Sequence, residues 1–143
     1  MGTSDKLLLG DLSNGSYFKL AFAERGKRPE SVGLYCYSNF AAFEDAILSS
    51  VADNGNPQLL GAAFSTLGWD VDGHIDLVHY GFSLNRDQVC DLLGMRRVSM
   101  VSDFVAKALA IPVLEETERN FVCGSAVRPD RLLPLFRLRS RNG

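Results

Sequence analysis

The first third of the chain alternates between apolar runs and polar turns in a way that predicts three antiparallel strands. The apolar runs cover residues 6–12, 17–23 and 31–37, and the intervening turns are Ser13-Asn14-Gly15-Ser16 and the charged residues 24–30. Alternation of apolar and polar positions is typical of half-buried strands, and a short polar turn between two such runs indicates a hairpin. We therefore expect an antiparallel meander at the start of the fold.

Beyond residue 38 the period changes, and helical segments alternate with strand-like ones. Asn54-Gly55-Asn56-Pro57 ends the first helical pattern, and a small-residue apolar run at 59–64 predicts an interior strand. Asp72-Gly73 predicts a tight hairpin, and Ser83 is the expected N-cap of a helix that Gly94 closes. One face of the first helix is expected to carry four apolar residues: Phe40, Phe43, Ile47 and Val51.

The segment from Val98 to Pro112 carries the strongest candidate chemistry. An apolar run ends at Ser102 and Asp103, and a small-residue helical pattern follows until Pro112. Open α/β sheets bind small molecules at the carboxyl ends of their strands, where a carboxylate can act as a general base. Ser and Asp are also the preferred helix caps. The residues alone leave catalysis and capping both open.

The order of elements, β-β-β-α-β-α-β-α, predicts an α/β fold. Antiparallel strands followed by β-α alternation imply a mixed sheet with helices on both faces. A chain of 143 residues is long enough for one domain with a full core.

Composition narrows the function classes. A net charge of −2 and a pI near 5.6 give no reason to expect nucleic acid or a membrane as partner. No apolar run reaches the length of a membrane span. Three cysteines without CxxC spacing argue against a metal site or a disulfide framework, so we expect a reduced, cytoplasmic protein. Arginines crowd residues 128–143, where a solvated terminus is the simplest interpretation.

Three blocks of sequence resemble the N-terminal lobe of bacterial glucokinases, in the actin-like ATPase and sugar kinase superfamily. Residues 8–12 with the hairpin after them are similar to that family's first phosphate-binding turn, and residues 37–40 resemble the segment after its third strand. Residues 101–112 resemble its Ile-Asn-Asp-Phe motif and the helix ending in Ala-Ile-Pro. The resemblance implies a ribonuclease H-like (actin-like ATPase) fold with a mixed five-stranded sheet, a lobe at residues 1–127 and an Arg-rich segment at 128–143.

The same resemblance implies roles for individual residues. Asp103 falls on the catalytic base, which accepts the proton of the attacking hydroxyl of glucose or a related hexose, and Ser102 lies beside it in the sugar site. Asp11 falls on the aspartate that positions magnesium and phosphate. The phosphate side also includes three turn residues and a nearby cation: Ser13, Asn14, Gly15 and Lys19. The implied cofactor is Mg-ATP if the protein is active, and none otherwise.

Departures from the family pattern support a second hypothesis. Ser13-Asn14-Gly15 stands where the family has Gly-Gly-Thr, and a phosphate cradle needs the close backbone approach that glycine permits. Ser102 replaces an asparagine, and Ser65 replaces a proline. The sequence also stops where the family would enter its second phosphate loop. We therefore expect this glucokinase-like lobe to be inactive alone. The alternative is a non-catalytic module that forms a homodimer or binds a protein covering the missing lobe.

Overall fold

The computed structural model describes residues 5–67, 70–77 and 81–118. The chain divides into two compact units between Ala106 and Lys107, and the first unit holds the whole sheet. The expected boundary at residue 127 and the Arg-rich segment lie outside the described residues. No helix in the described ranges is long and apolar enough to cross a membrane.

The strands are β1 (Lys6–Leu12), β2 (Tyr17–Glu24), β3 (Glu30–Cys36), β4 (Leu59–Thr66), β5 (His74–Leu77), β6 (Phe82–Asn85) and β7 (Val98–Ser102). Five of them form one mixed sheet in the order β3-β2-β1-β4-β7, and the other two form a separate hairpin, β5-β6. In the five-stranded sheet, β2 pairs antiparallel with both β1 and β3, whereas β4 pairs parallel with both β1 and β7. This confirms the predicted meander and the mixed five-stranded sheet.

The described residues form three α-helices: α1 (Phe43–Asp53) after β3, α2 (Arg86–Leu93) after β6 and α3 (Asp103–Ala110) after β7. Short 3-10 turns occupy Tyr37–Asn39, Ile111–Val113 and Glu116–Glu118. Helices α1 and α2 and the β5-β6 hairpin contribute side chains to one core cluster on one face of the sheet. Its largest fully buried members are aromatic: Phe18, Phe22, Phe43 and Phe64.

Gly10, in the middle of β1, is required by close packing inside this core. A Cβ atom added there would lie 2.4 Å from Cδ1 of Phe64, its cross-strand partner on β4. The Phe64 ring is fully buried and meets the Phe43 ring edge-on, with the centroids 5.6 Å apart. The glycine therefore makes room for an aromatic ring between the sheet and α1.

The predicted cap of α2 was wrong. Ser83 lies inside β6, and Asn85 is the cap, with its Oδ1 accepting hydrogen bonds from the backbone N–H groups of Asp87 (2.9 Å) and Gln88 (3.1 Å). Ser and Asn both favour caps, so the choice depends on where β6 stops pairing with β5. Gly94 does close the helix, in the left-handed conformation (φ 62°), as predicted.

Of two further predictions, the hairpin turn was confirmed and the start of α1 was wrong. Asp72-Gly73 forms the expected tight turn, with φ of 51° and 83° and a bridge between Val71 and His74. Phe40, in contrast, precedes α1 in extended conformation (φ −129°) rather than belonging to it. Its ring still packs against that of Phe18, with the centroids 6.3 Å apart. The helical spacing thus identified a core residue but placed the helix start too early.

Candidate functional site

The parallel strands bring the candidate residues to one edge of the sheet. Asp11 lies opposite Ser65 in the β1-β4 ladder, and Thr66 lies opposite Ser102 in the β4-β7 ladder. Neighbouring strands are about 4.8 Å apart, so the tips of β1 and β7 are separated by roughly 10 Å. Asp103 begins α3 directly after the tip of β7. Residues far apart in sequence therefore share the edge at which open α/β sheets bind ligands.

Asp11 accepts three hydrogen bonds at this edge. Its Oδ1 accepts hydrogen bonds from the Ser13 backbone N–H (3.1 Å), the Ser13 hydroxyl (2.5 Å) and the Ser65 hydroxyl (3.0 Å). These three bonds hold the turn after β1 and tie the tip of β1 to that of β4. The carboxylate is solvent-exposed. Asp11 is therefore held in place by its neighbours while remaining accessible to a ligand.

The turn after β1 satisfies part of its own hydrogen-bonding capacity. Asn14 Oδ1 accepts from the Ser16 backbone N–H at 2.9 Å, and Asp11 accepts from the Ser13 N–H. A phosphate cradle is made of backbone N–H groups that point at the ligand. Two such donors, at Ser13 and Ser16, are directed at side-chain oxygens of the chain itself. The turn is thus a closed Asx-type turn rather than an open anion cradle.

Lys19 places a cation beside this turn. It lies directly opposite Asp11 in the β1-β2 ladder, and directly opposed residues of an antiparallel pair project from the same face. Its Nζ is 5.9 Å from the centre of the Tyr17 ring. The register thus brings a carboxylate and an ammonium group to one end of the sheet, a pairing suited to a metal-bound phosphate.

Ser102 and Asp103 lie where strand β7 ends and helix α3 begins. The Ser102 hydroxyl accepts a hydrogen bond from the Val105 backbone N–H at 3.3 Å, so this serine caps α3. Asp103 is the first residue of the helix and is half-buried. Negative charge at a helix N-terminus is stabilised by the helix dipole. Ser102 therefore orients the start of α3 and Asp103 supplies its charge.

Magnesium fits this edge only as an ion shared with a substrate. Mg²⁺ is usually held by one or two carboxylates together with phosphate oxygens and waters. Asp11 offers one such carboxylate, and within the described ranges no three His, Cys, Asp or Glu residues cluster around a possible metal position. The donor set is compatible with Mg-ATP, in which the nucleotide supplies the remaining ligands, and does not form a separate metal cage.

Ser65 belongs to this arrangement, although the sequence did not assign it to the site. In the sequence it stands where the resembled family has a proline. A polar residue just after the apolar run 59–64, at the end of an interior strand, is the signal that could have identified it. The structure gives it a direct bond to Asp11.

Comparisons with known proteins point in one direction. A family model described as Glucokinase matches residues 8–135. A glucokinase-like protein of Caulobacter vibrioides is 31% identical over 109 residues, which are 76% of this chain and 35% of that protein. A glucokinase of Rhizobium meliloti is 24% identical over 123 residues, which are 86% of this chain and 36% of that protein. The chain thus spans about a third of the length of these relatives.

Solved structures share the fold. The crystal structure of a glucokinase from an Antarctic psychrotroph superposes with a TM-score of 0.75 at 16% identity, covering 88% of this chain and 41% of that one. A ROK-family transcriptional regulator superposes with a TM-score of 0.57 at 18% identity, covering 77% of this chain and 31% of the regulator. At these identities the likeness concerns the fold alone.

Proposed function

Since this chain belongs to the glucokinase family, we propose that it forms the sugar-binding and proton-accepting side of a hexose kinase site. The observation that supports this most is that the strand ends carrying Asp11, Ser65 and Asp103 lie at the same edge of the sheet. The Asp103 carboxylate would take the proton of a hexose hydroxyl as that oxygen attacks the γ-phosphorus of ATP. The bond from phosphorus to the bridging oxygen would break, and ADP would leave.

The other residues at the edge would position rather than react. Asp11 would hold magnesium on the phosphate side, because its carboxylate is already oriented by Ser13 and Ser65. Lys19 would offset phosphate charge from the neighbouring strand. Mg-ATP would supply the phosphoryl group and its charge neutralisation. Ser102 would act indirectly, by fixing the first turn of α3 that carries Asp103.

We further propose that this chain alone binds ligand without turning it over. Phosphoryl transfer depends on holding the attacking oxygen in line with phosphorus, and misplacement by 1 Å can cost about a hundredfold in rate. The chain covers about a third of its relatives' length. The closed turn after β1 leaves the N–H groups of Ser13 and Ser16 directed at the chain's own oxygens. Both features reduce the positioning that transfer needs.

A non-catalytic module, acting as a homodimer or with a protein partner, is the second candidate. The closed turn favours it, because a turn that satisfies its own donors holds phosphate weakly. Exposed apolar side chains on α3, Phe104 at 78% and Val105 at 46%, add a surface suited to a partner. We propose a cytoplasmic location for the protein under either candidate function.

Calorimetry on the full chain tests the sugar site. We expect glucose to bind, and Asp103→Asn to weaken it about tenfold or more, because a hydrogen bond to a charged group contributes about 1.5–3 kcal/mol. Asp53→Asn, at an exposed carboxylate ending α1, is the matched control and should leave binding unchanged. Unchanged glucose affinity in Asp103→Asn, or no glucose binding at all, would contradict the proposed role of Asp103.

A coupled assay with glucose, ATP and magnesium separates the two candidates. We expect no turnover by this chain alone. Turnover that Asp103→Asn abolishes would establish catalysis by the chain and exclude the non-catalytic module. Glucose binding without turnover, together with Mg-ATP binding that Asp11→Asn weakens, would leave the kinase-site proposal intact. A chain that binds neither ligand and sediments as a dimer would favour the second candidate.

A further inference from the structure

The sheet face opposite α1 carries a groove of about 420 Å³ at the end of the sheet away from Asp11. Its floor is made by Leu7 and Leu9 of β1 and by Gly61 and Ala63 of β4. These four residues form two cross-strand pairs, Leu7 with Gly61 and Leu9 with Ala63. Leu8, between the two leucines, is fully buried on the α1 side. The volume lies within the range of small-molecule sites.

Two arginines line the groove from opposite sides. Arg25 directly follows β2 and Arg97 directly precedes β7, so β1 and β4 run between them in the sheet. Both side chains are exposed, and neither guanidinium has a hydrogen bond or an ion pair with any residue in the part of the chain that the structure describes. Arg86, in comparison, is paired with Asp70. Two cations that have no partner among the described residues, beside an apolar floor, favour an anion with an apolar body as the ligand.

Close backbone packing requires a residue without a Cβ atom at Gly61, in the floor of the groove. A Cβ atom added to Gly61 would lie 2.8 Å from the Arg97 carbonyl oxygen, which already accepts a hydrogen bond from the Ala62 N–H at 2.9 Å. Ala63, the next floor residue on β4, is also small. The groove thus exists because β4 presents glycine and alanine where a larger side chain would fill it.

We propose that this groove binds a medium-chain monocarboxylate such as octanoate. The carboxylate lies between Arg25 and Arg97, since a guanidinium can bind a carboxylate through two parallel N–H···O bonds. The alkyl chain lies along Leu7, Leu9 and Ala63. The floor extends over three residues of β1, or roughly 7 Å, so about six of the eight carbons of octanoate lie along it. It is little longer than one helical turn, so an amphipathic helix with an acidic end fits less well.

Titration of the full chain with octanoate, followed by amide NMR shifts, tests the site. We expect saturable shifts at Leu7, Leu9 and Ala63, and an affinity about tenfold or more lower for the Arg25→Gln/Arg97→Gln double variant. Arg96→Gln is the matched control, because Arg96 is an exposed arginine next to Arg97 that does not line the groove. It should bind octanoate as the wild type does.

Two further probes examine the charge and the shape of the ligand. Octanol and octyltrimethylammonium share the chain but lack the negative charge, and both should bind at least tenfold more weakly. Ala63→Leu should fill the floor and lower octanoate affinity while the thermal unfolding midpoint confirms that the variant is folded; should it not fold, Ala63→Val replaces it. Equal binding of octanol, an equal loss in Arg96→Gln, or the absence of saturable binding overturns the proposal. Tighter binding of an acidic helical peptide overturns it in favour of a protein partner.

Discussion

Replacing Gly10 with alanine tests whether this glycine serves packing rather than phosphate binding. The added Cβ would lie 2.4 Å from Cδ1 and 2.8 Å from Cε1 of Phe64, where carbon atoms normally stay about 3.5–4.0 Å apart. The ring is fully buried and meets Phe43 edge-on, so a shift of the ring would disturb its packing in the core. Overpacking of this kind costs about 1–3 kcal/mol, and removing a strand glycine returns about 0.5–1 kcal/mol. We expect a net loss of about 1–2 kcal/mol.

Urea unfolding of four proteins measures this effect and its cause. With a slope of about 2 kcal/mol per molar urea, Gly10→Ala should lower the midpoint by roughly 0.5–1 M. Phe64→Leu alone should also destabilise the protein. The double variant should be about 1 kcal/mol more stable than the sum of the single losses predicts, because the smaller side chain makes room for the new methyl group.

Gly33→Ala is the matched control for that experiment. A Cβ atom at Gly33 would also lie too close to a ring, 2.6 Å from Cε2 of Tyr35. Tyr35 is only half-buried and lies on an edge strand, so its ring can move aside at small cost. Equal losses in Gly10→Ala and Gly33→Ala, or additivity within about 0.5 kcal/mol in the Gly10-Phe64 cycle, would refute the packing explanation.

Three further predictions concern caps and charge. Asn85→Ala should lower the free energy of unfolding in urea by about 1 kcal/mol, whereas Ser83→Ala should change it by less than about 0.5 kcal/mol. A larger loss in Ser83→Ala than in Asn85→Ala would indicate that Ser83 is the cap after all. Ser102→Ala should cost about 0.5–2 kcal/mol through loss of the α3 cap, and Ser102→Asp should recover most of it. A hydrogen bond to Glu24 and the negative charge of Glu24 raise the pKa of Lys27. Any stabilisation of the fold by this pair is therefore present below the ordinary lysine pKa and is lost as the pH rises through the raised pKa. NMR titration should show the Lys27 pKa falling in Glu24→Gln, and an unchanged value would contradict that pairing.

The sheet could be predicted from sequence because each of its strands carries a local signal. Period-two alternation marks the meander, and short apolar runs mark the two parallel strands at 59–64 and 98–101. The β5-β6 pairing was harder to predict, because both strands have only four residues and share their neighbourhood with cap-like residues. Ser83 was therefore mistaken for a helix cap.

The candidate site was only partly accessible from sequence. Asp11, Ser102 and Asp103 each end an apolar run, which is a local feature. The bond between Asp11 and Ser65 joins residues 54 positions apart and depends on the register of β1 and β4, and register is a property of the whole sheet. The closed turn at residues 13–16 is likewise a matter of which oxygen each N–H faces. Residue types suggest such a turn without specifying its bonds.

The closed turn has a consequence for an anion that would bind the Ser13 and Ser16 N–H groups. Such a ligand competes with Asp11 and Asn14 for these groups, so it binds them only in the fraction of molecules whose turn is open. Its apparent dissociation constant is the intrinsic one divided by that fraction. Asn14→Gly would remove one internal competitor, and tighter nucleotide binding would follow from a change that adds no contact to the ligand. The side chains of Asp11 and Asn14 therefore act as intramolecular competitors of the ligand for these two N–H groups.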